Sequence, residues 1–449
     1  MVTAPEFWAH GVATAQLSIQ RLGDPRVDSP LTQVLDRRRE SQNYVAEDDR
    51  VLLDDTARGV LARRQGTGQL PGFEPGGPRR RIWFDPSAVR AGIVTCGGLC
   101  PGLNDVIRAV VQQLWAQYGV RDILGFRNGY QGLVPGLAAE PLVLTPEVVE
   151  PINEDGGTIL GASRGAQDPD AMVDHLVALG VNMLFVVGGD GSMRGAARIS
   201  DAARARGVEL AVVGVPKTID NDLPFIDHSF GFHTAFAKAT ESIRAARVEA
   251  RAAPGGIGLV RLMGRHSGFI AAYAALAKND ADYVLIPEVP FALEGPDGLL
   301  EHVLRRVRDH GHAVIVVAEG AGQEHFPASA ATDASGNAAL HDIGALLRER
   351  LRGHFAGAQE PLNLRYLDPS YAIRSVPADP YDAVYCIRLA HAAVHAAMAG
   401  RTSMVVGRWH GWFVHLPISL VTSRRNTVDP HGDLWQTVLE ATGQPWEFR

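Results

Sequence analysis

Continuous apolar runs alternating with stretches of helical period constrain the fold of this chain more than any other feature. "AGIVT" leads into "VIRAVVQQLWAQYG", "DILGF" into a Gly-Tyr loop, "VNMLFVV" into "AARISDAARARG" and "AVVGV" into "HTAFAKATESIRAARVEA". A run without polar alternation reads as a strand buried on both faces, and strands separated by helices imply a parallel sheet. "YVLIPEV", "HAVIVVA" and "SMVVG" repeat the arrangement further on, spaced by "GLLEHVLRRVRDHG" and "YDAVYCIRLAHAAVHAAMAG". Two similar α/β lobes are therefore expected, which a chain of 449 residues has room for.

Residues 1 to 80 break this rhythm: "LDRRRESQNYVAEDDRVLLDD" and the Gly/Pro-rich "RRQGTGQLPGFEPGGPRRR" show little periodicity. They read as an extension or small accessory domain without chemistry of its own. The polar stretch "EHFPASAATDASGNAALHD" reads as a surface loop. A net charge of −7 argues against nucleic acid as the main partner, so any anionic ligand must be held by locally placed arginines. Cys96, Cys100 and Cys386 are too few for a disulfide scaffold and lack zinc spacing, which fits reduced thiols and a cytoplasmic protein. No apolar run approaches the ~18 residues of a membrane span.

In an open parallel sheet, ligands bind beyond the carboxyl ends of the strands. The first such end carries "TCGGLCPGLN", whose glycine turn before a helix suits an anion, although a tight connection alone could explain it. Gly188-Gly189-Asp190-Gly191-Ser192, with Gly195 beyond, lets backbone approach a phosphate and offers a carboxylate for Mg2+; a glycine turn with a helix-capping Asp is the plainer alternative. Pro216-Lys217-Thr218-Ile219-Asp220-Asn221-Asp222 places two carboxylates beside a lysine and a threonine, more than an ordinary cap needs and apt for a general base. Arg164 in "GGTILGASRG" and Arg265 in "LMGRHSG" offer the planar, bidentate contacts that suit phosphate. Glu319 in "AEGAGQE" could accept sugar hydroxyls, while Arg365, Tyr371 and Arg374 in "NLRYLDPSYAIR" could clamp a second phosphate.

In this order and spacing, "TCGGLCPGLN", "GGTILGASRG", "GGDGS", "PKTIDND", "LMGRHSG" and "DPSYAIR" resemble the 6-phosphofructokinases over roughly positions 80 to 420. The lead-in to the first motif and "HSFGFHTAFAKATESI" look most like the long, plant and trypanosome type that uses ATP. The resemblance implies two Rossmann-like three-layer lobes with parallel-rich sheets: residues 86–235 for nucleotide and Mg2+-phosphate, 236–410 for sugar phosphate. Residues 1–85 would be an N-terminal extension or small domain, and 411–449 would pack back on the lobes.

By the same resemblance, Gly97, Gly98 and Gly102 would lie against the donor phosphates and Asp190 would hold Mg2+. Tyr130, Arg164, Gly191, Ser192 and Gly195 would line the ATP site. Asp220 would take the proton of the sugar's 1-hydroxyl, with Thr218, Asp222, Arg265 and Lys217 around the transferring phosphoryl group. Met263, Gly264, Glu319, Arg365, Tyr371 and Arg374 would bind fructose 6-phosphate together with Thr218, Asp220, Asp222 and Arg265.

Against the short bacterial pattern, Leu99 replaces an aspartate, Lys217 a glycine, Tyr371 a histidine, and Gly256 a phosphate-binding arginine from a neighbouring subunit. For the donor, Lys217 also occurs in pyrophosphate-using relatives, whereas Gly191 stands where those carry an aspartate that would exclude the nucleotide's α-phosphate. Gly191 decides for ATP, with a pyrophosphate-dependent enzyme or a non-catalytic regulatory relative as alternatives. The expected partners are these two substrates, with neither nucleic acid nor membrane, and a second copy in a homo-oligomer, dimer or tetramer.

Overall fold

Apolar strands of five to seven residues supply the centre of each sheet. The computed structural model describes residues 12, 14–31, 44–66, 68, 70–327 and 339–449, so most of the polar loop expected at 324–342 lies outside the described residues. In chain order the strands of the two large sheets are β1 (Val51–Leu52), β2 (Gly72–Pro75), β3 (Arg90–Thr95), β4 (Asp122–Phe126), β5 (Leu142–Val143), β6 (Met183–Gly188) and β7 (Ala211–Pro216). They continue with β8 (Gly256–Leu262), β9 (Tyr283–Leu285), β10 (His312–Ala318), β11 (Asn363–Leu367), β12 (Met404–Trp409) and β13 (Trp412–Pro417). The helices that cover them are α1 (Leu103–Gln113), α2 (Pro169–Ala178), α3 (Asp190–Ala205), α4 (Phe232–Arg251), α5 (Phe269–Lys278), α6 (Leu299–His310), α7 (Ile343–Gly357), α8 (Ser370–Arg374), α9 (Pro380–Met398) and α10 (Asp433–Thr442).

The described chain forms two compact units, one of residues up to Thr218 with Leu223–Gly231 and Ser375–Arg424, the other of Ile219–Asp222, Phe232–Arg374 and Arg425–Arg449. The first holds a nine-stranded sheet in the order β1-β2-β13-β12-β7-β6-β3-β4-β5. Its centre, β12-β7-β6-β3-β4, is parallel, and its margins are antiparallel. Leu184, Val186, Val212 and Val405 on one face pack with Met193, Ala196 and Ile199 of α3, while α9 contacts α1 and β7.

The second unit holds a four-stranded parallel sheet, β9-β10-β8-β11. Its strands sort by parity: Val260, Leu262, Val314 and Val316 meet α4, α5 and α10, whereas Ile257, Leu259, Ile315 and Val317 meet α6 and α7. Each unit is thus a sheet between helical layers, the expected α/β class, but the two sheets differ in size. The difference comes from added strands: β1, β2, β12 and β13 widen the first sheet from the N-terminal segment and from beyond α9. Residues 375–410 accordingly belong with the first unit, where chain order alone groups them with the second.

Candidate active site

The loop after β3 is shaped by glycine. Gly97 stands at φ 85°, its amide donates to Ser163 O at 3.1 Å, and a Cβ on Gly98 would stand 3.5 Å from the Arg164 guanidinium. The buried Lys217, just past the end of β7, donates through Nζ to Gly98 O at 2.7 Å. Gly97, Gly98, Arg164 and Lys217 are thereby one group in the first unit. Gly102 is not part of it: buried at φ 96°, it has no room for a side chain because a Cβ would lie 2.7 Å from Cys386 Sγ and 3.1 Å from Phe230. Packing is by itself a sufficient reason for a glycine there.

Asp190 opens α3, so "GGDGS" is a helix start more than a loop. The Asp190 carboxylate pairs with Arg194 one turn on at 2.9 Å. The Tyr130 hydroxyl donates to the Ser192 carbonyl, and its buried ring lies where a Cβ on Gly195 would come within 2.5 Å. Gly195 and Tyr130 therefore lock together beneath the helix start. Gly191 differs: it is exposed, and an added Cβ would meet nothing within 4 Å. The fold does not require a glycine there. Thr218 ends the first stretch of the first unit, its carbonyl accepting from the Ser229 hydroxyl.

Most of the residues that the resemblance assigns to the acceptor lie in the second unit, with Arg265 and Glu319 just past the carboxyl ends of β8 and β10. Asp220 is held through its backbone by Ser267 Oγ, which donates to Asp220 O at 2.9 Å, and the Arg265 amide reaches Asp220 Oδ2 at 3.5 Å. Asp220 Oδ1 is buried without a hydrogen-bond partner among the described residues. Burial first, then the charges of Asp222 and Glu319, push the Asp220 carboxyl up to about 7. Burial likewise raises Glu319, opposed by Arg261, Arg265 and Arg374. Gly264, at φ 127°, brings backbone against Ser267 and Gly320, and Met263 is buried in the core. Arg374 lies 4.5 Å over the exposed Tyr371 ring.

Arg365 is not brought to this group, since its side chain pairs with Glu249 at 3.4 Å. Two residues the sequence reading passed over are in it. Arg261 bridges Glu319 at 3.1 Å and Asp368 at 2.5 Å, and as the one charge within β8 it was a legible signal. Arg425 pairs with Asp222 at 2.6 Å, from a part of the chain that no motif marks.

Comparison with known proteins agrees with this geometry. The phosphofructokinase family model matches residues 90–397. The chain is 60% identical over 443 residues, 96% of its length and 95% of the relative's, to a protein of Amycolatopsis methanolica named ATP-dependent 6-phosphofructokinase. It is 48% identical to a protein of the same name from Trypanosoma brucei brucei, over 81% of this chain and 75% of that one. Among solved structures, a pyrophosphate-dependent phosphofructokinase of Marinobacter aquaeolei shares the fold with a TM-score of 0.65 and 23% identity, over 79% of this chain and 91% of that one. On the extent of the family match and the identity to these relatives, the chain belongs to the phosphofructokinase family.

Proposed function

We propose that Asp220 is the general base of this enzyme, an ATP-dependent 6-phosphofructokinase that phosphorylates fructose 6-phosphate at its 1-hydroxyl. The observation that carries the role is the Asp220 carboxylate: raised to about 7, with one oxygen buried and unpaired, it is suited to accept a proton near neutral pH. The hydroxyl proton passes to Asp220, the sugar oxygen forms a bond to the γ-phosphorus, and the bridging P–O bond breaks to release ADP. Positioning and charge neutralisation supply most of such a catalysis.

Gly97, Gly98, Arg164, Lys217, Gly191 and Ser192 bind the donor in this reading, with Tyr130 and Gly195 bracing the helix start beneath it. Thr218, Asp222 and Arg265 support the transferring group. Met263, Gly264, Glu319, Tyr371 and Arg374 bind the sugar phosphate. Residues 217–222 carry the chain from the unit with the donor residues to the unit with the acceptor residues. Gly191 supports ATP as donor, because the fold leaves room for a side chain that the sequence does not supply.

No three His, Cys, Asp or Glu among the described residues form a metal cage. A single carboxylate, Asp190, at a helix start fits Mg2+, which binds through one or two carboxylates while phosphates and water complete its shell. Asp190 would hold the ion, which when bound would neutralise phosphate charge. A homo-oligomer is part of the reading, supported by the half-exposed Arg365, whose side chain pairs with Glu249 rather than with Glu319 or Arg374. Cytoplasmic residence is supported by three buried cysteines, none of them in a disulfide.

A coupled assay with fructose 6-phosphate, offering ATP and pyrophosphate in parallel, tests donor and acceptor together. Asp220→Ala should lower kcat by at least ~10²-fold, and the wild-type kcat should rise with pH through about 7, because the base works deprotonated. Near-normal turnover in a folded Asp220→Ala protein removes the assignment.

A further inference from the structure

The carboxylate next to the proposed base is gripped from a distant part of the chain. Arg425 donates through Nη1 to Asp222 Oδ2 at 2.6 Å. Asn426 holds the backbone of the same turn, its amide donating to Asp222 O at 2.8 Å and its Nδ2 to Asn221 O at 3.3 Å. Asn221 stands at φ 57°, a left-handed conformation that a residue other than glycine keeps when its surroundings over-determine it. The turn that aims Asp220 is therefore fixed on one side by Ser267 and on the other by residues 425–426.

We infer that Arg425 is a positioning residue for phosphoryl transfer: by pairing with Asp222 it holds the Asp220 carboxylate in line with the acceptor hydroxyl and offsets the negative charge gathered there. The inference rests on Asp220 being the base. The charges facing Asp220 are Asp222 on its own loop, Glu319 after β10 and Arg425 from the C-terminal segment, with the Arg265 amide after β8 and His266 close to Asp222 and Arg425. Arg425 is the cation in this set that favours the ionised base.

The test compares Arg425→Met, which keeps bulk and removes charge, with Arg425→Lys, which keeps the charge, using kcat, KM and pH profiles with ATP and fructose 6-phosphate. Arg425→Met should lower kcat by about 10- to 100-fold, as small misplacements of reacting groups do, while KM for ATP stays within about 2-fold. Its acidic limb should move to higher pH, since a lost cation leaves the base easier to protonate. Arg425→Lys should restore the limb and most of the turnover. Arg425→Gln serves the same comparison where the methionine variant fails to fold. An unmoved limb with unchanged kcat, or a kcat loss that lysine does not rescue and no limb shift accompanies, overturns the role. Asp220→Ala run in parallel separates the two readings: if it is inactive while Arg425→Met is normal, only Arg425 loses its role, and if it is active, the base assignment falls and this inference with it.

Discussion

At the residue scale, glycines that look alike in the sequence have different causes. Gly102 and Gly195 are required by neighbours, since any side chain would enter Cys386 and Phe230 or the ring of Tyr130. Gly191 has open space around it, so its small size matters to what binds outside the chain. This makes Gly191→Asp a clean probe: the protein should fold as before and lose most ATP-dependent turnover, because a carboxylate there both occupies and repels the place of a nucleotide phosphate. Intact ATP kinetics in that variant would remove Gly191 as the donor determinant. The carboxylate cluster was legible because two acids beside a lysine and a threonine after a buried strand exceed what capping needs. Arg425 was not, because the ion pair spans 203 residues of chain and no local pattern encodes such a partner.

At the element scale, strands with long apolar runs could be read directly, and helices with them. β8 and β11 were harder: "GIGLVRL" opens on two glycines and "NLRYL" mixes charge into a sheet edge, so neither reads as an uninterrupted apolar strand. The start of α3 was also disguised, since Gly-Gly-Asp-Gly-Ser has poor helix propensity yet Asp190 already lies in the first turn. Tertiary packing decides it, through the Tyr130 hydroxyl on the Ser192 carbonyl and the Tyr130 ring on Gly195. Gly195→Ala should therefore destabilise the protein by about 1–3 kcal/mol, the usual cost of overpacking, despite alanine's better helix propensity, and should raise KM for ATP. Gly191→Ala in the same helix is the control, with open space and a neutral or slightly favourable effect. Urea unfolding of both variants checks the pair, and equal stabilities would mean the Tyr130 ring yields without cost.

At the scale of the whole molecule, the surprise lies in the first 80 residues. Short strands carry no period, so the segment read as an appendage, yet β2 is hydrogen-bonded into the main sheet beside β13 and brings Glu74 into its interior. Glu74 accepts from Arg401 Nε at 2.8 Å, Arg79 Nη2 at 3.1 Å and His415 Nδ1 at 3.2 Å, with both arginines almost wholly buried. Burial pushes the His415 ring down, so the neutral ring donates its proton. For Glu74, burial alone would raise the carboxyl, but the His415 hydrogen bond and the charges of Arg401 and Arg79 more than reverse it. Removing one partner from a buried ionic cluster leaves the others uncompensated, which costs about 3–5 kcal/mol. Glu74→Ala should be destabilised by that amount in urea at pH 7, even though the residue lies outside every motif of the reaction. The sign with pH follows from the lowered carboxyl: its stabilisation is present above the unfolded value of ~4.3 and fades as pH falls toward the lower folded value. The gap between wild type and Glu74→Ala should therefore be widest near neutrality and narrow below about pH 4. A gap that is small at pH 7, or that widens in acid, would mean that the ionic cluster around Glu74 adds little to stability.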